Sequence, residues 1–125
     1  YENALGQKFF IYTFEGYSLC NQLKRQYART TDINYILSNK FNRTLPVYVY
    51  GHPDLYVQCK KSEKGMAIWL SNCFADAVND AKLILDGRYR IKDHIGCDCK
   101  IIDNELVINK IYPFDCVGID LEKIV

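Results

Sequence analysis

Val47-Tyr48-Val49-Tyr50, the turn Gly51-His52-Pro53-Asp54, then Leu55-Tyr56-Val57-Gln58-Cys59-Lys60-Lys61 and Met66-Ala67-Ile68-Trp69-Leu70-Ser71-Asn72-Cys73 decide how this chain folds. β-branched and aromatic residues dominate these runs. Leu55, Val57 and Cys59 recur at every second position, the period of a strand that buries one face. Ser62-Glu63-Lys64-Gly65 between the last two runs reads as a four-residue hairpin loop, with glycine where a positive φ is tolerated. Downstream the pattern repeats. Ala81 to Leu85 ends at Asp86-Gly87; Tyr89, Ile91 and Ile95 mark the next run; Cys99-Lys100-Ile101-Ile102 and Leu106-Val107-Ile108 flank Asp103-Asn104-Glu105; Val117 to Leu121 is the last. Pro113 stands before that final run, where a missing N–H costs no ladder bond. Turn signals every ~8–12 residues predict an antiparallel β-sandwich of about eight strands.

Upstream the period changes. Lys8 to Phe14 reads as a buried strand ended by Glu15-Gly16. Ser18 is a good N-cap for a helix with Leu19, Leu23 and Tyr27 on one stripe, and Asp32 can cap a second piece with Ile33, Ile36 and Leu37. Ser38-Asn39-Lys40 reads as a helix exit, because Asn tolerates the left-handed turn and Lys suits the negative end of the dipole. Residues 1–44 are thus expected to be a strand–helix connector packed on the sandwich, and residues 45–125 the sandwich itself. The start, Tyr1-Glu2-Asn3, reads as a cut upstream of a domain.

At 125 residues, 49% hydrophobic and 25% charged, the chain has the mix of one folded domain rather than a disordered segment. No apolar run approaches the ~20 residues of a transmembrane helix, so no membrane partner is expected. A net charge of +1 lacks the basic footprint of a nucleic-acid binder. Lys24, Arg25 and Arg29 supply most of the local basic excess and read as a solvated helix face. The six cysteines are too few, in a chain this rich in core residues, for a disulfide scaffold. Cys59, Cys73 and Cys116 read as small hydrophobes within strands, which implies a reducing, cytoplasmic compartment. The Asn42-Arg43-Thr44 sequon points the other way, to a secreted chain.

Candidate chemistry is sparse. On a strand, Cys97 and Cys99 point to one face, and with His94 they form a possible soft-metal set. A structural zinc site wants four ligands, usually from C-x₂-C pairs; Cys97-Asp98-Cys99 is C-x-C and no second pair exists, so these cysteines are read first as structural and no cofactor is expected. His52 lies in a turn. No phosphate loop, nucleophile elbow or H-x-x-x-H motif is present. Aromatic side chains offer more. Alternation places Tyr48 and Tyr50 opposite Val47 and Val49, Tyr56 opposite Leu55 and Val57, and Trp69 opposite Ile68 and Leu70. Tyr48, Tyr50, Tyr56 and Trp69 are therefore expected to share a sheet face. That face would either be covered, by the apolar stripe of the helical segment or by another domain, or be a platform on which sugar rings stack.

Three stretches carry a resemblance: Pro53-Asp54-Leu55-Tyr56-Val57, Met66-Ala67-Ile68-Trp69-Leu70-Ser71-Asn72-Cys73-Phe74-Ala75-Asp76 and Tyr112-Pro113-Phe114-Asp115-Cys116-Val117-Gly118-Ile119. Together they resemble the C-terminal β-sandwich accessory domain of large bacterial glycoside-hydrolase-like proteins, over roughly residues 45–121. The resemblance implies a non-catalytic accessory domain, not an enzyme in itself. Such a domain would pack on an upstream catalytic module of the same chain and would sometimes bind carbohydrate. It carries over no catalytic residue. A protein-interaction module using the aromatic face or a sheet edge is the alternative.

Overall fold

The structure is a computed structural model that describes residues 3–8, 27–52 and 54–124. It divides into two compact units, Tyr1–Leu45 and Pro46–Val125. The expected first strand beyond Lys8, the Ser18 cap, Leu19, Cys20, Leu23, Lys24 and Arg25 lie outside the described residues. Among the described residues, no helix is long and apolar enough to cross a membrane.

In the first unit the described helix α1 runs Tyr27–Phe41. It starts ahead of the expected Asp32 cap and passes through Ser38-Asn39-Lys40 without ending. Here Ser38 and Asn39 bond back to the carbonyls of Asn34 and Tyr35 and stay helical. The exit comes at Asn42, which holds the left-handed conformation (φ 51°), and Arg43 N–H closes the turn on the Leu37 carbonyl at 2.9 Å. The physical device is the expected one, a left-handed Asn, but it is a different Asn.

The second unit holds eight described strands: β1 (Val47–Tyr50), β2 (Leu55–Lys61), β3 (Gly65–Asn72), β4 (Val78–Leu85), β5 (Tyr89–Ile95), β6 (Cys99–Ile102), β7 (Glu105–Ile111) and β8 (Cys116–Lys123). They form two antiparallel four-stranded sheets, ordered β1-β4-β7-β6 and β2-β3-β8-β5. Only β2–β3 and β6–β7 are hairpins within a sheet; every other connection carries the chain across to the opposite sheet. The protein is mainly β and consistent with a β-sandwich.

The core follows the alternation. Met66, Ile68 and Leu70 of β3 and Val117, Ile119 and Leu121 of β8 belong to one cluster with Ala81, Leu83 and Leu85 of β4 and Leu106 and Ile108 of β7. Gly65 opens β3 for a reason other than the expected positive φ. A Cβ there would lie 2.1 Å from the Leu121 carbonyl oxygen, so it is the closeness of β8 that demands glycine.

The two ends of the sandwich are tied by polar groups. At one end Asn72, 1% exposed, donates through Nδ2 to the carbonyls of Asp76 (2.8 Å) and Tyr112 (3.1 Å), while its Oδ1 accepts from Phe74 N–H at 3.1 Å. One buried amide thus joins the β3–β4 loop to the β7–β8 loop, with its hydrogen-bonding capacity used. At the other end the Asp86 carboxylate accepts from Tyr89 Oη at 2.9 Å and pairs with Lys61. Burial, then the bond to Asp86, raises the Tyr89 hydroxyl above its ordinary range.

Candidate functional site

The expected single aromatic face is two faces. Tyr48 and Tyr50 sit on β1, in the sheet β1-β4-β7-β6; Tyr56 and Trp69 sit on β2 and β3, in the other sheet. Each pair does point away from its own core, as alternation requires. Alternation, however, decides only inside from outside. Which sheet a strand joins is decided by pairing across the chain, and Gly51 to Asp54 carries the chain from one sheet to the other.

The two outer faces have different surroundings. Tyr48 pairs with Ile84 and Tyr50 with Lys82, and β1 is an edge strand. Val107, between Lys82 and Lys100 in the ladder, is buried on this outer side. The outer face of β2-β3-β8-β5 is open. One ladder row reads Gln58, Trp69, Gly118, Ile95 across all four strands. The benzenoid edge of Trp69 leans across β8: a Cβ on Gly118 would meet the ring at 2.8 Å and Ile95 Cγ2 at 3.0 Å. Glycine here is the floor that admits the indole. Trp69 remains 47% exposed and Tyr56, one row away beside Ser71, 58% exposed.

Beyond this apolar row the same face becomes charged. Arg90 pairs with Glu122 at 2.6 Å and Lys92 with Asp120 at 2.9 Å. A groove of about 420 Å³ runs between Lys60, Lys64 and Lys92 over Ala67 and Asp120. The sheet face therefore sets exposed aromatic and aliphatic carbon next to dense hydrogen-bonding groups.

A β-bulge in β5 arranges this row. Ile91 pairs with Leu121, but Asp93 pairs with Asp120, so the register slips between them. The slip puts Ile95 opposite Gly118, on the outer face beside Trp69, and His94 opposite Ile119, on the core-facing phase. In a straight strand the two would be reversed.

His94 consequently meets Cys97 and Cys99, and the three ligand atoms lie within 4.8 Å of one another. Gly96 makes the corner with φ 77°, packed 3.1 Å from the Cys116 carbonyl as judged from its Cβ position. Asn109 N–H then bonds the Asp98 carbonyl at 3.0 Å and aligns the segment with β7. Cys97 and Cys99 are half-buried and pack against the core, while His94 is exposed. Burial, reinforced by Cys97 beside it, pushes the Cys99 thiol up to about 12; burial raises Cys97 as well. The remaining described cysteines reverse the expectation made for them: Cys59, Cys73 and Cys116 are exposed, not core filler. Cys73 follows the end of β3, Cys116 opens β8 and Cys59 lies on the edge strand β2, places where an apolar run is not a buried one.

Phe74, Tyr112 and Phe114 lie in the stretches that carry the resemblance and have no site expectation of their own. They are exposed aromatics on the two loops that Asn72 ties together, and Phe114 is 74% exposed with φ 58°. A bulky residue held in the left-handed region is uncommon. The signal available was Asn72 itself, an amide at the end of a mainly apolar strand. No protein-family model, curated protein or solved structure matches the chain.

Proposed function

We propose that the sandwich is a non-catalytic accessory domain of a carbohydrate-active enzyme, and that it binds glycan on the outer face of β2-β3-β8-β5. The observation that carries this reading is the Trp69 indole leaning over Gly118, flanked by Ile95 and Tyr56. A pyranose ring has an apolar C–H face and a hydroxyl rim. Aromatic surface with adjacent polar groups complements both. The charged row of Arg90, Lys92, Asp120 and Glu122 beside the platform supplies the donors and acceptors. The resemblance of residues 45–121 to sandwich domains that accompany glycoside-hydrolase-like modules points the same way.

Strand addition to a protein partner is less well supported, because each sheet edge is blunted. β1 and β6 are four residues long, β5 carries the bulge, and β2 ends in Lys60-Lys61.

Trp69 is the single tryptophan, so its fluorescence reports on the platform directly. Titration with a panel of gluco-, xylo-, manno- and chito-oligosaccharides is expected to give a saturable change with at least one member, lost in Trp69→Phe isothermal titration and weakened in Tyr56→Ala. Flat titrations across the panel, by fluorescence and by calorimetry, would falsify the reading.

A further inference from the structure

We propose that His94, Cys97 and Cys99 form a binding site for one thiophilic metal ion of the Zn²⁺ class, placed at the seam where the edge strands β5 and β6 of opposite sheets come together. The ligand atoms of all three lie within 4.8 Å of one another. In tetrahedral zinc sites, with metal–sulfur about 2.3 Å and metal–nitrogen about 2.0 Å, ligand atoms stand about 3.5–3.8 Å apart, so closure needs a shift of roughly an ångström. Side-chain rotation supplies that.

Two independent backbone features produce the convergence. In a continuous strand, residues an odd number apart face opposite ways, so His94 and Cys97 would diverge. The bulge after Ile91 puts His94 on the core-facing phase, and the left-handed Gly96 turns the chain so that Cys97, in the connection, and Cys99, opening β6, come together with it. Asp98, between the two cysteines, is exposed and outside the cluster. The donor set is therefore two sulfurs and one imidazole nitrogen. Thiolate with imidazole selects zinc-like or cuprous ions, whereas calcium and magnesium require oxygen. On binding, the metal sheds water, both thiols release their protons to solvent, and the neutral imidazole donates its lone pair. Three protein ligands leave a fourth position, which opens to solvent on the exposed His94 side and takes water or an incoming ligand.

The site joins the two sheets: His94 belongs to β5 and Cys99 to β6. Binding to the folded state alone makes the melting temperature rise with free metal.

The test uses the full chain, reduced and stripped of metal by chelation. Titration with Co²⁺ is expected to give a thiolate-to-cobalt band in the near ultraviolet and intense tetrahedral d–d bands, saturating at one equivalent and bleached by one equivalent of Zn²⁺. Cys97→Ser and Cys99→Ser each weaken binding and reduce the thiolate band, the double variant loses it, and Cys73→Ser keeps it. His94 is exposed, so His94→Ala retains the fold; it weakens binding by more than the roughly 10–100-fold that follows loss of a mere ligand-orienting group. Three outcomes overturn the proposal: no band, a band that survives in the Cys97→Ser/Cys99→Ser double variant, or a melting temperature indifferent to Zn²⁺.

Discussion

The two outer faces of the sandwich begin from the same sequence grammar and end differently. On β1, Tyr48 and Tyr50 lie on an edge strand, beside a sheet surface that Lys82 and Lys100 share with Val107. On β2 and β3, Tyr56 and Trp69 share a surface whose inner strand β8 offers Gly118 opposite the indole. An aromatic residue that points outward becomes a platform only where its cross-strand neighbour leaves room for the ring to lie over the backbone. The neighbour, not the aromatic, distinguishes the faces.

Four interventions test that distinction, in decreasing order of expected effect. Asn72 anchors the loops at the end of the Trp69-bearing sheet, and the described residues hold no equivalent amide on the other sheet. Asn72→Ala removes a buried amide and leaves two carbonyls and one N–H, all part-buried, without it. Urea unfolding is expected to show a loss of about 2–4 kcal/mol, and a loss under ~0.5 kcal/mol would show the tie to be incidental.

Gly118→Val forces the Trp69 ring and Ile95 off their shared floor. The expected cost is about 1–3 kcal/mol, accompanied by a red shift of the tryptophan emission as the indole swings into water. An unchanged spectrum would mean that Trp69 does not rest on Gly118.

For any oligosaccharide that binds, Tyr56→Ala is expected to weaken affinity by about 1 kcal/mol, roughly fivefold. Tyr48→Ala and Tyr50→Ala should leave calorimetric affinity unchanged. Equal losses on both faces would abolish the comparison.

The smallest effect lies at the far end, where Asp86 bridges Lys61 and Tyr89. Burial and the bond to Asp86 raise Tyr89 above 10.0, and the hydrogen bond to Asp86 raises Lys61. A folded-state pKa above the unfolded value stabilises fully below the unfolded pKa, and that contribution is lost as pH rises through the folded one. The melting temperature is therefore expected to fall as pH passes about 10. Tyr89→Phe should flatten that fall and cost about 0.5–1.5 kcal/mol at neutral pH. Lys61 is substantially exposed, so solvent screening makes its share minor.

Much of this arrangement was legible in the sequence because short-range rules produced it. The alternation of Leu55, Val57, Ile68 and Leu70 against Tyr56 and Trp69 is a period-two signal, and all six behave as it requires, although Cys59, further along the edge strand β2, is exposed. β4 and β7 extend beyond their expected bounds, β4 back to Val78 and β7 on to Ile111, because a long partner strand supports residues of weak intrinsic preference. Two features left no local trace. Nothing at Ile91-Lys92-Asp93 announces a bulge, since a register slip is a relation between two strands. Nothing local at Cys59 or Cys116 separates an exposed thiol from a buried one, since both lie in apolar runs, and the exposure of Cys59 follows from the place of β2 at the sheet edge.

The sequence by itself determined the class of fold, the positions of the strands, and which side chains of the long strands look inward, because alternation and turn chemistry act over a few residues. Tertiary structure alone decided that the aromatics divide between two sheets, that Trp69 lies over Gly118, and that His94 meets Cys97 and Cys99. Each of these depends on which strands pair and in what register, and register is settled by the packing of residues far apart in the chain.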